Sequence, residues 1–230
     1  MSSSSSSSSL GSSRSKTKIN TGINGYLILY NSISCVGWSY VLGLSLLELV
    51  KNNGNYTIIH DKVGWILTIV QTGAILEVFH VIIGFVKSPL MTTVFQVSSR
   101  LFIVWLVLNI FPQVHSHWAF TTMTIAWCIT ECLRYSYYVF NLVGKQPGWL
   151  LWCRYTFFYI LYPLGAGSEA MLVYQSLPHS KQLNNTYYWL EVLILITYFP
   201  GFFVMYTHMI SQRRKYLGGS KGKGKSKKIE

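Results

Sequence analysis

Six stretches of the chain stay apolar for twenty or more residues: 26–50, 63–86, 90–111, 118–143, 149–174 and 187–210. Short clusters of polar and turn-forming residues separate them, reading KNNGNYTIIHDK, KSP, PQVHSH, GKQPG and QSLPHSKQLNN. About 20 apolar residues in a helix cross the hydrocarbon of a bilayer. The pattern therefore predicts an all-α, polytopic membrane protein, a six-transmembrane-helix bundle. Runs two to five contain scattered polar positions, as expected of helices that turn a polar stripe towards their neighbours. Outside the runs, the Ser-rich residues 1–22 read as a disordered cytoplasmic tail, residues 23–212 as the membrane domain, and residues 213–230 as a basic cytoplasmic tail. The first run lacks a convincing cleavage site and reads as a retained span rather than a signal peptide.

Composition agrees with this picture. Half of the residues are hydrophobic and only 11% are charged, against about a quarter in soluble domains. The net charge of +12 gathers in the tails, at Arg14, Lys16 and Lys18 and again from Arg213 to Lys228. Basic tails beside apolar spans fix topology against an anionic leaflet, so the expected partner is the lipid bilayer and not nucleic acid. Cys35, Cys128, Cys132 and Cys153 all fall inside apolar runs without metal-ligand spacing, which argues against a disulfide framework or a metal site.

The charges also predict an orientation. Lys87, Lys145 and the QRRK after the sixth run belong on the cytoplasmic side, together with both termini. The sequons at Asn55 and Asn184 then fall in lumenal loops. The ending Lys227-Lys228-Ile-Glu resembles the dilysine retrieval signal of endoplasmic reticulum membrane proteins.

Charged residues inside the predicted spans include Glu77, Arg100, Glu131, Arg134, Arg154 and Glu169. Each costs roughly 2.5–3.5 kcal/mol at mid-bilayer unless paired or hydrated. Glu131 and Arg134 are three residues apart and can pair on one helix face, and Glu77 and His80 share that spacing. Arg100, with Gln96 and Ser99 nearby, is a candidate to complete the same network. Tyr162 and Glu169, in YPLGAGSEA, are seven residues apart and share a helix face about 10.5 Å apart along the axis. Pro163 removes a helical hydrogen bond there, and Gly165 and Gly167 thin the helix. Two readings stand for this pair. It grips a ligand in a gap, or Tyr162 packs at a helix interface while Glu169 bonds to the fourth or sixth span.

The stretches LEVFHVIIGFVKSP, TVFQVSSRLFIVW, AWCITECLRYSYYVFNL and RYTFFYILYPLGAGSEAMLVY closely resemble the very-long-chain (3R)-3-hydroxyacyl-CoA dehydratases, the protein-tyrosine-phosphatase-like or PASTICCINO-type family. The resemblance implies a six-span endoplasmic reticulum enzyme for the third step of fatty acid elongation, making trans-2-enoyl-CoA. It implies Tyr162 and Glu169 as the catalytic pair and an acyl-CoA as substrate, with no cofactor. Its expected partners are the other elongation enzymes: the condensing enzyme, the ketoacyl reductase and the enoyl reductase. The segment from Cys128 to Arg134 also matches the Cys-x5-Arg phosphatase pattern. It is predicted helical and glycine-free, so it cannot form the amide cradle that a phosphatase needs.

Removing water across C2–C3 needs a base at C2 and an acid at the C3 hydroxyl. On sequence grounds Glu169 is set against the hydroxyl and Tyr162 at C2, provided that Arg100 or Arg134 lies beside the phenol, and the opposite assignment stays open. Arg100, Arg134, Arg154 and Glu131 are the candidate substrate-binding residues. Basic groups near the cytoplasmic mouth, including Lys145 and Arg213-Arg214-Lys215, suit the CoA phosphates. A non-catalytic scaffold of the same fold and a small transporter are the alternatives.

Overall fold

The computed structural model describes residues 21–217; the Ser-rich tail, the end of the basic tail and the Lys227-Lys228 signal expected from the sequence lie outside them. Helix α1 is Thr21–Lys51, α2 Ile59–Gly73 and α3 Ile75–Ile82, the last two forming one unit with a slight break at Ala74. Helix α4, Leu90–Leu101, passes directly into π-helical turns at Phe102–Leu108. Helix α5 is Trp118–Leu142, α6 Gly148–Leu183 and α7 Asn185–Leu217. No strand occurs among the described residues. The chain is thus an all-α membrane protein, and its six helical units fall where the apolar runs predict them.

Four units, 22–51, 59–82, 90–108 and 185–214, are long and apolar enough to cross a membrane. Helices α5 and α6 have the length, 25 and 36 residues, but are more polar, and the packing explains why. Helix α5 lies between α1 and α6, and α7 packs on α6. Polar side chains of α5 and α6 turn towards neighbouring helices, where other side chains satisfy them. The outer helices are built the other way round. Leu29, Ile33 and Val36 on α1, and Ile196, Phe199 and Phe203 on α7, are all at least 60% exposed. In water such stripes would be a liability, whereas in lipid they are the natural outer surface.

The core joins Trp38 and Val41 of α1, Val63 and Leu67 of α2, Val104 and Val107 of the π-turns, Phe120 and Met123 of α5, and Leu172 of α6. Thr and Ser hydroxyls inside the helices bond back to carbonyls one turn earlier, as Thr124 does to Phe120, so they need no partner from outside.

The helices alternate in direction. At one end Tyr26 of α1 meets His80 and Phe85. At the other, Thr121 bonds the carbonyl of Tyr56, His60 stacks on His115 at 3.3 Å, and Phe111 meets Tyr187. The predicted loop QSLPHSKQLNN shrinks to Asn184, since α6 continues through Pro178 to Leu183. Ser176 on this extension donates to Glu191 of α7 at 2.8 Å, a tertiary tie that holds the extra turns helical despite the proline.

Candidate active site

Helix α6 carries Tyr162 and Glu169 without interruption, Pro163 included. The Tyr162 ring stacks on Phe158 one turn earlier, at 4.9 Å between centroids, and across to Phe202 and Tyr206 of α7 at 5.2 and 6.4 Å. Two turns further on, Glu169 is 8% exposed. Its Oε1 accepts from the Trp127 indole N–H of α5 at 2.7 Å, and its Oε2 accepts from the Tyr198 hydroxyl of α7 at 3.0 Å. Tyr198, Phe202 and Tyr206 are spaced four residues apart, one stripe of a helix. The phenol and the carboxyl of the candidate pair therefore meet the same face of α7.

Gly165 lies buried between the pair. A Cβ there would sit 3.7 Å from the Trp127 ring and 3.8 Å from the Cβ of Ala126. These are ordinary contact distances, and α6 packs on α5 here with the Trp127 indole within reach of Glu169. Phe158, Phe202 and Tyr206 pack around the phenol and line the α6–α7 seam there. Two cavities have linings that do not include the pair. One of about 240 Å³ is lined by Ile129, Phe157, Ile160 and Leu161, and one of about 300 Å³ is lined by Ile110, Phe111, Gln113, His179, Gln182 and Leu183. Tyr162 sits at a helix interface and Glu169 bonds to the fourth and sixth helical units.

Four further charged residues form one cluster. Arg134 donates from Nε to Glu131 Oε2 at 2.7 Å, and from Nη1 and Nη2 to the two oxygens of Glu77 at 2.6 and 2.7 Å. Arg100 caps the other side of Glu131, and the Tyr135 hydroxyl donates to Glu77. Two acids and two arginines thus balance, with the Glu131 side chain 1% exposed. The Arg100 guanidinium also lies 4.8 Å over the Trp127 ring, and so the cluster reaches Glu169 through that indole.

Three candidate substrate-binding residues, Arg100, Arg134 and Glu131, are thus brought together and bond to one another. Arg154 is not among them. It stacks over Tyr137 and Tyr138 of α5 at 4.6 and 5.1 Å, with no ion pair among the described residues. Three details correct the sequence expectations. His80 bonds the Tyr26 hydroxyl at 2.9 Å instead of Glu77, whose oxygens Arg134 occupies. Ser99 bonds the carbonyl of Gln96 within its own helix and stays outside the cluster. No cation contacts Tyr162 among the described residues, because both arginines proposed for it are held by Glu77 and Glu131.

Trp127, Tyr198 and Glu191 belong to this interior but were not among the predicted residues. Nothing marks the first two among 8 tryptophans and 16 tyrosines. Glu191 does have a legible signal, an acid inside the sixth apolar run. It is buried and accepts a hydrogen bond from Ser176 at 2.8 Å. The Cys128–Arg134 segment is helical throughout, with Cys128 at 0% exposure. It forms no phosphate loop.

Comparison with known proteins gives one consistent result. The family model described as protein tyrosine phosphatase-like protein, PTPLA, matches residues 71–219. The chain is 40% identical over 210 residues to the very-long-chain (3R)-3-hydroxyacyl-CoA dehydratase PASTICCINO 2 of Arabidopsis thaliana, covering 85% of this chain and 94% of that one. It is 38% identical over 205 residues to very-long-chain (3R)-3-hydroxyacyl-CoA dehydratase 2 of Homo sapiens, covering 84% and 80%. A probable dehydratase of the same name from Schizosaccharomyces pombe is 44% identical over 194 residues, covering 83% and 91%. No solved structure matches.

Proposed function

The chain belongs to the protein-tyrosine-phosphatase-like (PTPLA) family and works as a very-long-chain (3R)-3-hydroxyacyl-CoA dehydratase, and from that premise we propose that Tyr162 and Glu169 carry the reaction. The observation that supports this most is the shared facing of the two groups onto the Tyr198–Phe202–Tyr206 stripe of α7. A substrate entering the α6–α7 seam meets a phenol and a carboxyl together.

We assign the two roles from the surroundings of each group. A phenol, with an ordinary pKa of about 10, is a poor base unless a cation helps it, and Tyr162 has none beside it. It is the proton donor to the departing C3 hydroxyl. Glu169 is then the base that takes the C2 proton, whose acidity the thioester raises. The C2–H and C3–O bonds break, the C2–C3 double bond forms, and water leaves. Return of the proton from Glu169 to Tyr162 resets the pair. Every transfer is a proton transfer, so the reaction asks for no redox group.

The acyl chain belongs in the bilayer and the CoA phosphates at the end that carries Lys87, Lys145 and Arg154. That end faces the cytoplasm by the positive-inside rule, with Asn55 and Asn184 on the lumenal side. The Lys227-Lys228 ending fits residence in the endoplasmic reticulum, beside the condensing enzyme, the ketoacyl reductase and the enoyl reductase. The test supplies the purified chain with a (3R)-3-hydroxyacyl-CoA and follows enoyl-CoA. Tyr162→Phe and Glu169→Gln should each lose roughly 10²–10⁴-fold in turnover with melting unchanged. Turnover within a fewfold of the parent in either variant refutes the assignment.

A further inference from the structure

The reactive carboxyl has two oxygens, and their partners differ in kind. Oε1 accepts from the Trp127 indole N–H, 2.7 Å away, with Trp127 itself only 2% exposed. An indole N–H can donate but never accept. A proton placed on Oε1 would face another hydrogen and would break this bond in a buried site. Oε2 faces the Tyr198 hydroxyl at 3.0 Å. A hydroxyl both donates and accepts, so it bonds the ionised carboxylate as a donor and the protonated one as an acceptor, without moving a heavy atom. Arg100, lying over the indole face, holds that ring in place.

We propose that Oε2 is the only oxygen of Glu169 that exchanges protons during turnover, and that Tyr198 is a positioning residue which holds it in both protonation states. This rests on the catalytic reading of Tyr162 and Glu169 and adds a third group to it. The step balances. The C2 proton passes to Oε2 while its electron pair forms the C2–C3 bond. The Tyr198 hydroxyl turns from donor to acceptor, and the Trp127 bond to Oε1 survives throughout. Because Oε2 and Tyr162 both face α7, C2 and C3 of the substrate lie in the α6–α7 seam and not between α5 and α6.

The experiment uses the full chain in detergent with a (3R)-3-hydroxyacyl-CoA. Tyr198→Phe is expected to lower kcat roughly 10–100-fold, since misplacing a reacting group by about 1 Å has that effect, while KM stays within about twofold. A merely structural tyrosine would not be sensitive to the acidity of its hydroxyl. Fluorotyrosines of increasing acidity, incorporated at position 198, therefore provide the decisive readout and keep the fold intact. A kcat that moves steadily with phenol acidity supports the proposal. A flat series, or Tyr198→Phe within twofold of the parent, overturns it. Failure of the underlying pair is a separate outcome: Tyr162→Phe or Glu169→Gln would keep turnover whatever happens at position 198.

Discussion

Arg134→Met is the perturbation that the interior of this bundle makes most quantitative. Arg134 makes three charge-assisted hydrogen bonds of 2.6–2.7 Å, one to Glu131 and two to Glu77. Its removal does not strand both acids equally. Glu131 keeps Arg100, whereas Glu77 is left with the Tyr135 hydroxyl alone. Methionine fills much of the arginine stem's volume, so packing loss is small and the charge effect dominates. Removing one partner of a buried ion pair costs about 3–5 kcal/mol, because the other charge stays buried without compensation. For a chain of this size each kcal/mol moves Tm by about 2–4 °C, so the drop should be roughly 6–20 °C in a thermal melt of the purified protein in detergent. Glu77→Gln placed on the same background removes the stranded charge and should recover part of the loss. If Arg134→Met melts within about 2 °C of the parent, the cluster does not hold α3 to α5, and the buried charges do not stabilise the bundle by pairing.

Other outcomes follow from individual contacts. Ser176→Ala takes away the hydroxyl that donates to buried Glu191 and should cost about 1–3 kcal/mol in the same melt. Gly64→Ala places a Cβ within 2.7–2.9 Å of the His60 ring, pushing it off His115, and should cost about 1–3 kcal/mol, whereas the same change at Gly165 meets only ordinary contacts and should be tolerated in both melting and turnover. Cys128→Ala leaves the proposed chemistry untouched, so dehydratase turnover should stay within about twofold, and a larger loss in a variant with unchanged melting would show that the cysteine has a role in catalysis.

The α6–α7 junction and the seam beside Tyr162 show where one-dimensional reasoning ends. Turn-forming residues around Pro178 read as a loop, yet the helix runs on, because Ser176 finds Glu191 on the next helix and one tertiary bond offsets a local preference. The paired glycine and proline near Tyr162 read as a ligand gap. In space, Gly165 packs against Trp127 and Ala126 of α5, and three rings line the seam beside the phenol. Likewise the seven-residue spacing of Tyr162 and Glu169 was enough to put them on one side of a helix, but not to say which neighbour that side meets.

What the order of residues determined by itself was whatever has a period or a cost: six helical units from run length, a lipid-facing exterior from apolar content, and buried charges that had to find one another. Those follow from the hydrocarbon thickness and from the expense of an unpaired charge, both of which act on any chain. Only the tertiary structure decided the partners. Arg100 and Arg134 went to Glu131 and Glu77 and not to Tyr162, and Glu169 received an indole on one oxygen and a phenol on the other. Choices of that kind depend on distances of a few ångströms between residues tens of positions apart, and no local pattern encodes them.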